Sequence, residues 1–487
     1  MNQRNQTKST KRAPRITKSR LLAHQILVRV ASEGAFADRV LDTAIERADL
    51  DDRDVRLVTE LVYGTLRQQQ RLDFFLNKLM KTPMIKLPTA TAVALRLGAY
   101  QLLDLRVADH SAVNEAVALV RMYHHYQAGF VNAVLRELAR RRDADNLQIS
   151  DVQNVDPIAT LAIKYSQPEW ILQRVVKQLG EQDAQKFAAA NNLAPPITIR
   201  INSLKASTEQ VLKDLQALNA QVEFVGQVPN ALNIRNVGAP AKLSHFIKGN
   251  ITVQDAAAQL VAHFAAPSEN SVIVDMCAAP GGKTTHLAEL INDSGLIIAL
   301  DIHPGKLRLI QQAAKRLQLK SIIIKAADSA NHAVLLQAVQ FAISEANAKS
   351  SKSSTKQFAT PPNLVILDAP CSGSGTLRRN PELRQRHENS LKELTALQDQ
   401  LLDAGASLLT SGGVLVYAVC SITEEEGPER IKAFLQRHPE FMVSKTSLHT
   451  ASWLHPYLAP FADGEVLQTW PHYHGMDGFF AARLVCG

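Results

Sequence analysis

Two cysteines, Cys371 and Cys420, stand in short segments whose residue types could support covalent catalysis. Cys371 lies in the run DAPCSGSG, which begins at Asp368, and Cys420 lies in the run YAVCSI. Each run follows an apolar stretch of strand length, so both thiols are predicted at the carboxyl ends of neighbouring strands, on one edge of a sheet. A thiolate placed there could attack an electrophilic carbon of a substrate. The alternative for either cysteine is a small buried hydrophobic residue, which is common for free thiols.

A candidate ligand-binding loop is the segment DMCAAPGGKT, which follows the apolar run Val272–Asp275 and opens a predicted helix. Ligands of open α/β sheets bind at this end of the strands, and small residues let the backbone approach a ligand closely. The segment is not a Walker A loop, because Cys277 stands where the first glycine is needed, and it contains no G-x-G-x-x-G. It therefore favours a nucleoside-type ligand over a triphosphate. The predicted ligand-binding residues are Cys277, Ala278, Ala279, Pro280, Gly281, Gly282 and Lys283.

Acidic residues end the next two predicted strands at the same edge. Asp301 ends the strand Leu296–Asp301, and Asp328 lies just after the strand Ile322–Lys325. A carboxylate at Asp301 could accept hydrogen bonds from ribose hydroxyls, and one at Asp328 could accept from an adenine amino group. The alternative for each acid alone is that its side chain caps the following turn. Acids at three successive strand ends favour the ligand site.

The catalytic region is predicted to be a Rossmann-like domain with a doubly wound, mostly parallel sheet over residues 256–487. Short apolar strands alternate with amphipathic helices here, which is typical of that architecture. The later strands are Leu364–Asp368 and Val414–Ala418, and the helix Leu391–Leu409 between them is predicted to stop at Gly412–Gly413. The Ser/Lys-rich segment 349–356 is predicted to be a mobile loop before the strand at Leu364.

Two further domains are predicted in front of it. Residues 19–142 have apolar residues spaced three to four apart and no strand-like alternation, which predicts an all-α bundle. Its last helix ends in Arg140, Arg141 and Arg142. Residues 143–165 are polar and predict a linker. Residues 166–255 predict a small α/β module, with helices at Trp170–Leu179, Asp183–Asn191 and Ser207–Ala217 and strands at Ile197–Ile201 and Val222–Val225.

Charge and composition narrow the class of protein. The formal net charge is +8, and the first twenty residues hold seven Lys or Arg and no acid. A basic tail such as residues 1–18 either tracks phosphates or acts as a disordered solubilising arm. No apolar run approaches the roughly 20 residues that cross a bilayer, and the N-terminus lacks a secretory signal, so we expect a cytoplasmic protein without membrane partners.

A structural metal is not expected. The four cysteines, Cys277, Cys371, Cys420 and Cys486, form no C-x-x-C pair and are too few and too dispersed for a disulfide framework. His472 and His474 could suggest a metal site, but no third ligand is suitably spaced, which favours a loop contact for both.

The motifs DMCAAPGGKT, DAPCSGSG and YAVCSI resemble those of the NOL1/NOP2/Sun family of RNA cytosine-C5 methyltransferases. The segments LVTELVYGTLR, LRLGAYQLL, DHSAVNEAV and AGFVNAVLREL resemble the NusB-like domain found in the bacterial RsmB (Sun/Fmu) branch, which methylates a cytosine of 16S ribosomal RNA. The resemblance extends from about residue 20 to the end and includes ITVQDAAAQ and HGMDGFF. The insertion before Asp368 and the loop Trp470–Tyr473 depart from the family pattern.

The resemblance implies methyl transfer from S-adenosyl-L-methionine to C5 of a cytosine in 16S rRNA, by a protein that we expect to be a monomer. It implies that Cys420 attacks C6 of the base and that Cys371 assists release. Asp368 would contact N3 and also border the cofactor. Lys283 would hold Asp368 or a phosphate, with a surface lysine as the alternative. A stacked base cannot present C6 to a thiol, so the cytosine must be unpaired or flipped out.

RNA contacts are predicted outside the catalytic motifs. Arg200 and Asn202 match an R-x-N motif that the resemblance places in the small module in front of the catalytic domain, and they would line the RNA path. Their alternative is an ordinary surface strand. Arg140, Arg141 and Arg142 would contact phosphates.

Two other functions remain open at this point. The substrate could be transfer RNA or another ribosomal site, since related enzymes act on these. The chain could also be an RNA-binding assembly factor whose methyltransferase fold is inactive, although intact Cys371, Cys420 and Asp301 argue against that.

Overall fold

The computed structural model describes residues 16–105, 107–147, 156–350, 357–358, 361–445 and 451–487. Most of the predicted basic tail, at 1–15, and the Ser/Lys-rich segment, at 351–356, lie outside the described residues. The chain divides into two compact units. The first contains the residues up to 173 together with 380–385, and the second contains 174–379 and 386–487.

The first unit is helical throughout its described residues, which confirms the predicted all-α bundle. A single apolar core holds it together, built from residues such as Leu61, Leu95, Leu97 and Leu135 that are almost completely buried. Its helices are α1 (Lys18–Glu33), α2 (Ala37–Arg47), α3 (Asp52–Arg67), α4 (Gln69–Asn77), α5 (Thr89–Leu103), α6 (Asp109–His124), α7 (Ala128–Asp143) and α8 (Pro157–Tyr165).

Helix α8 corrects the predicted linker. The interpretation of 143–165 as a linker is wrong for 157–165, where the chain is helical. Local sequence explains the helix: the Asp156 carboxylate accepts a hydrogen bond from the Ile158 amide, and Pro157 occupies the first helical position, where proline costs no hydrogen bond. The polar composition concealed a short helix with a good N-terminal cap.

A second unexpected feature is that residues 380–385, far along the sequence, belong to the first unit. The Arg384 guanidinium is buried and donates to the carbonyl oxygens of Arg67, at 2.6 Å, and Ser166, at 2.9 Å. Burial lowers the Arg384 pKa to about 9. The Glu382 carboxylate accepts from the amide of Ala37 at the start of α2. No sequence signal predicted that residues 380–385 would belong to the first unit.

The small α/β module in the second unit is built on a four-stranded antiparallel sheet. Its strand order is β2-β3-β1-β4, and Ile199, Leu232 and Ile251 are buried in its core. The strands are β1 (Ile197–Ile201), β2 (Gln221–Phe224), β3 (Ala231–Arg235) and β4 (Ile251–Val253). The helices of this part of the chain are α9 (Glu169–Leu179), α10 (Glu181–Asn191), α11 (Thr208–Ala217) and α12 (Ser244–Ile247).

The catalytic domain is built on a larger, mostly parallel sheet, as predicted. Its strands are β5 (Val272–Asp275), β6 (Leu296–Asp301), β7 (Ile322–Ala326), β8 (Leu364–Asp368), β9 (Val414–Val419), β10 (Phe441–Val443), β11 (Leu458–Phe461), β12 (Gly464–Thr469) and β13 (Phe479–Cys486). The order is β11-β12-β13-β9-β8-β5-β6-β7, with β10 paired to β13. The five strands from β5 to β9 are parallel, and β10 to β13 add an antiparallel edge that sequence analysis did not identify.

Both faces of this sheet are apolar because successive side chains of a strand point to opposite faces. Val274 and Leu367 pack in one cluster, whereas Ile273 and Ile366 pack in the other. Helices cover the faces, namely α13 (Ala256–Ala265), α14 (Gly282–Leu290), α15 (Pro304–Leu317), α16 (His332–Ser350), α17 (Ser390–Ala406), α18 (Pro428–Arg437) and α19 (Pro471–His474).

Helix α17 ends earlier than predicted. The sequence predicted a helix from Leu391 to Leu409, but regular helix stops at Ala406. Leu408 and Leu409 are still buried, which explains why the apolar pattern runs on past the helix. Gly412, with φ of +82°, lies in the turn that leads into β9, so it shapes that turn instead of stopping the helix.

Candidate active site

The two cysteines predicted to act together are in contact. Strands β8 and β9 are parallel neighbours, with Asp368 opposite Ala418 in the register. The chain beyond each strand turns so that the sulfur atoms of Cys371 and Cys420 lie 3.3 Å apart, within sulfur hydrogen-bond distance. Both thiols thus lie after the carboxyl ends of neighbouring strands, at one edge of the sheet, where the sequence placed them.

A buried carboxylate, that of Glu426, holds the Cys371 segment in place. Glu426 is fully buried, and its oxygens accept hydrogen bonds from the Ser372 amide at 2.7 Å and the Ser372 hydroxyl at 2.5 Å. The same carboxylate accepts from Thr423 and from the Gln398 side chain. Four donors compensate a charge that would otherwise be costly to bury. Sequence analysis missed Glu426, whose position six residues after Cys420 was the available signal.

Serine hydroxyls and glycines join the two cysteine segments. The Ser374 hydroxyl lies 2.8 Å from that of Ser421, and the Gly375 amide donates to the Cys420 carbonyl at 3.0 Å. Gly375 must be glycine, because an added Cβ would lie 1.9 Å from the carbonyl oxygen of Gly478. The glycines of DAPCSGSG and MDGFF therefore allow two backbone segments to pass in contact beneath the thiols.

Lys283 forms an ion pair at the same edge. It lies in the first turn of α14, and its Nζ is 2.6 Å from an oxygen of Asp368. Burial disfavours the charged form of Lys283, but the Asp368 carboxylate outweighs it, so the Lys283 pKa stays above its usual range. The ammonium also lies 5.0 Å from the centre of the Phe479 ring. Of the three roles left open for Lys283, the structure supports contact with Asp368.

The loop DMCAAPGGKT is folded tightly against the strand ends. The Ala278 amide donates to the Leu300 carbonyl, and Gly281 has φ of +103°, in the left-handed region that favours glycine. Asp275 is buried and accepts from the Thr284 hydroxyl at 2.6 Å. Burial raises the Asp275 pKa to about 7. The loop therefore connects β5 to α14 with its small residues at the carboxyl edge, as predicted.

Carboxylates gather around Cys277 in this loop. Burial raises the Cys277 pKa, and the nearby carboxylates of Asp275, Asp368, Asp301 and Asp328 raise it further. Cys277 is therefore a neutral thiol near several carboxyl groups, of which Asp275 is partly protonated and Asp368 is paired with Lys283. One Asp301 oxygen accepts from the His303 amide, and one Asp328 oxygen accepts from the Ala330 amide, so each acid also caps its turn as the alternative reading proposed. Capping and ligand binding use different lone pairs and are compatible.

Arg200 and Asn202 are not placed to bind RNA, which corrects their prediction. Both are buried in β1 and the residues after it. The Arg200 guanidinium pairs with both oxygens of Glu289, at 2.8 and 2.9 Å. It also donates to Gln254 and to the Gly282 carbonyl. The Asn202 side chain donates to the Gly249 carbonyl and accepts from the Leu204 amide. Arg200 thus connects strand β1 to helix α14, through the Gly282 carbonyl in its first turn and the Glu289 carboxylate near its end.

A second buried ionic cluster, absent from the predictions, lies behind the DAPCSGSG segment. Arg379 pairs with Asp255 and with Asp477, the latter at 2.9 Å, and the Asp477 amide donates to Asp255. Burial first, and then the charge of Asp255, raise the Asp477 pKa to about 7. Asp255 and Asp477 belong to ITVQDAAAQ and HGMDGFF, so those motifs carried the signal. The cluster ties three distant segments together.

The three arginines at the end of α7 are partly neutralised. Arg140 and Arg141 pair with Glu137, and Arg142 pairs with Asp109 and Asp143. Their role in RNA binding stays a prediction.

Neither a metal cluster nor a membrane helix is found within the described ranges. No group of three or more His, Cys, Asp or Glu is arranged to hold a metal ion there. His472 packs against Phe187, Trp470 and Tyr473, and His474 packs against Tyr457. No helix in those ranges is long and apolar enough to span a membrane.

Comparison with known proteins identifies the family. Residues 262–485 match the model of the 16S rRNA methyltransferase RsmB/F family, residues 17–140 match the NusB family, and residues 167–239 match the RsmF/B-like ferredoxin-like domain. The probable ribosomal RNA small subunit methyltransferase B of Bacillus subtilis is 32% identical over 471 residues, which cover 96% of this chain and 98% of that protein. The chain belongs to the ribosomal RNA small subunit methyltransferase B family.

Further comparisons agree with this membership. The ribosomal RNA small subunit methyltransferase B of Erwinia tasmaniensis is 31% identical over 473 residues, covering 97% of this chain and 99% of that protein. The crystal structure of PH0851 aligns with a TM-score of 0.79 at 26% identity, over 97% of this chain and all of the other. The resemblance inferred from the motifs is confirmed, as is the order of a NusB-like bundle, a ferredoxin-like module and a methyltransferase domain.

Proposed function

We propose that this member of the family transfers a methyl group from S-adenosyl-L-methionine to C5 of a cytosine in 16S rRNA, through a covalent bond between Cys420 and C6 of the base. The observation that carries the proposal is the contact between the Cys371 and Cys420 sulfurs, beside the Lys283–Asp368 ion pair. A methyl transfer to a ring carbon needs such a nucleophile, because C5 of cytosine reacts poorly until C6 has been attacked.

The residues at the carboxyl edge suit this cofactor. S-adenosyl-L-methionine supplies an electrophilic methyl group on a sulfonium cation, and the carboxylates around Cys277 give the edge the opposite charge. The small residues Ala278, Ala279, Pro280 and Gly281, with Gly282, let a ligand approach the backbone. Asp301, which is buried at the end of β6, would accept from ribose hydroxyls with the lone pairs that the His303 amide leaves. Asp328 would accept from the adenine amino group.

Cys420 is taken as the nucleophile because YAVCSI resembles the family motif, and the contact between the sulfurs gives Cys371 a supporting role. The hydrogen bond with Cys420, followed by burial, raises the Cys371 pKa well above its usual value, and the charges of Glu426 and Asp368 raise it further. At 3.3 Å, a Cys371 thiol could donate a hydrogen bond to a Cys420 thiolate and stabilise its negative charge. The Cys420 thiolate would bond to C6 while electron density moves to C5 and N3. That attack makes C5 nucleophilic towards the methyl group that the cofactor would supply. Water held by Cys371 would then take the C5 proton, and the electron pair left behind would re-form the C5–C6 double bond and release the Cys420 thiolate from C6.

Asp368 and Lys283 would act together on N3. The Lys283 Nζ lies 2.6 Å from an Asp368 oxygen, so charge or a proton on Asp368 is held beside an ammonium. As negative charge builds at N3, the Asp368 carboxylate could hold there the proton that Cys420 gives up, and the Lys283 ammonium beside it would stabilise the remaining negative charge. Asp368 also borders the loop that would hold the cofactor.

A labelling experiment tests the proposal. The purified protein would be incubated with S-adenosyl-L-methionine carrying a tritiated methyl group and with either protein-free small-subunit rRNA or tRNA. We expect label in the rRNA, recovered as 5-methylcytidine after nuclease digestion. Label in tRNA alone would contradict the substrate, and label in another nucleoside would contradict the chemistry.

A further inference from the structure

The turn between α6 and α7 exposes an unusual group of side chains. Arg121, Met122, Tyr123, His125 and Tyr126, which we call the turn surface, are all exposed. Tyr126 is 73% exposed, Met122 is 55% and Tyr123 is 44%. Two exposed tyrosines and a methionine within five residues form a group that folding does not require, and such groups mark interaction sites.

The turn surface is held rigidly from below. The Tyr123 ring packs on the buried His24 ring, with centroids 5.2 Å apart, and His24 is in turn hydrogen-bonded to the Ala90 carbonyl. The Gln127 side chain accepts a hydrogen bond from the Thr91 hydroxyl. The turn is thus attached to the first turn of α5. A partner would meet rings that are already positioned, which lowers the entropic cost of binding.

The charge around the turn surface favours an anionic partner. There is no acidic residue from 116 to 136 or from 74 to 103. Arg121 is exposed, and so is Lys86, which precedes the first turn of α5. Helix α7 begins here without a side-chain cap, so its positive end adds to the attraction. By contrast, Glu137 and Asp109 offset the arginines at the other end of this helical hairpin, about 24 Å away along the helix.

We propose that the turn surface binds an unpaired stretch of RNA, with bases stacked on Tyr123 and Tyr126 and phosphates near Arg121 and Lys86. The inference rests on the proposed function, because it supplies the RNA. Exposed rings beside cations and without acids are the features by which proteins hold single strands. A protein partner is the less suited occupant, since the rings stand on a turn and do not line an apolar groove.

The test measures RNA affinity with the full-length chain and its variants. The probe is a labelled single-stranded RNA of mixed sequence about a dozen nucleotides long, within the range that such surfaces cover. The same sequence in a duplex serves as the second probe. The variants are Tyr126→Ala, Tyr126→Phe, Tyr126→Leu and Arg121→Ala. The matched control is Arg29→Ala, which removes an exposed arginine of α1 that pairs with Glu33. Tyr126 is so exposed that its replacement leaves the core intact.

We expect Tyr126→Ala and Tyr126→Leu each to weaken single-strand binding by about tenfold, and Tyr126→Phe to retain it, because stacking needs the ring and not the hydroxyl. Arg121→Ala should reduce the salt dependence of binding, and Arg29→Ala should change little. Unchanged single-strand affinity in Tyr126→Ala would overturn the inference. So would an equal loss on the duplex probe, because paired bases cannot stack on the rings.

Methyl transfer is assayed separately, so that the two proposals can fail independently. Suppose that the wild-type protein binds the probe through Tyr126 but labels no rRNA. That result would refute the proposed function, and the inference that the turn surface binds RNA would still hold. A wild-type protein that labels rRNA, with Tyr126→Ala binding normally, would refute only the turn surface.

Discussion

The Glu426 carboxylate accepts hydrogen bonds from both the amide and the hydroxyl of Ser372, the residue that follows Cys371. Because Glu426 itself follows Cys420 by six residues, one carboxylate connects the two segments that carry the thiols. The buried Glu426 carboxylate therefore fixes the loop of Cys371 against the loop of Cys420. In this arrangement the two sulfurs lie 3.3 Å apart. Positioning of this kind is where small displacements cost the most activity.

The first prediction concerns Glu426→Gln. The amide keeps the shape but replaces one acceptor oxygen with a donor, which would face the Ser372 donors. We expect single-turnover methyl transfer to fall by about tenfold or more, since charge-assisted hydrogen bonds are lost and the thiols lose their alignment. The control is Glu424→Gln, which removes only an exposed pair with Lys177. Equal rates for the two variants would show that Glu426 does not position the thiols.

The second prediction concerns Gly375→Ala. The added Cβ would lie 1.9 Å from the Gly478 carbonyl oxygen, so the backbone must move. We expect the free energy of unfolding to fall by about 1–3 kcal/mol or more, with loss of activity. Gly305→Ala is the control, because its Cβ meets nothing within 4 Å and the residue lies in helix α15. Denaturation in urea checks both, and a neutral Gly375→Ala would contradict the close approach.

The third prediction separates a structural role of Arg200 from an RNA contact. Arg200→Met leaves the Glu289 carboxylate buried without its partner, which should cost about 3–5 kcal/mol in unfolding free energy. The double variant Arg200→Met/Glu289→Met should recover part of that loss. RNA affinity of the folded variants should match the wild type. A variant with normal stability and weakened RNA binding would restore the original interpretation of Arg200.

The fourth prediction concerns pH. Burial raises the Asp275 pKa to about 7 in the folded state, whereas an unfolded aspartate titrates near 4. The folded protein therefore binds an extra proton between these values, and the stability present at low pH is lost as pH rises towards 7. Asp275→Asn stays neutral, so the urea midpoint of the variant should fall less over this range than that of the wild type. Parallel pH profiles would refute the raised pKa.

Much of the fold could be predicted from the sequence because its signals are local. Strands β5, β6 and β8 were placed at their observed bounds, since apolar runs of strand length ended by Asp or a turn are distinctive in a parallel sheet. Cys371, Cys420 and the small-residue loop followed from their positions after those strands. Helix α8 was missed because polar residues surround it. The short strands β10 to β12 lack a long apolar run, whereas β13 has one and was overlooked.

The remaining features depend on contacts between distant residues, which periodicity does not encode. The sequence could not tell whether Arg200 faced solvent or Glu289, because both residues are charged and 89 positions apart. Nor could it show that residues 380–385 join the first unit, since their composition resembles that of any surface loop. Spacing and motifs drew attention to the segments of Glu426, Asp255 and Asp477, but their partners could not be predicted, because a buried charge looks like a surface charge until the residues that contact it are known.

The most direct test of the account is a covalent trap. Cys371→Ala, Cys420→Ala and the double variant would each be mixed with 16S rRNA and S-adenosyl-L-methionine, and the products would be separated on a denaturing gel. The account predicts that Cys371→Ala accumulates a protein–RNA adduct, because Cys420 still attacks C6 while release is slowed, and that Cys420→Ala and the double variant form none. An adduct in Cys420→Ala, with none in Cys371→Ala, would contradict it and would assign the nucleophile to the other thiol.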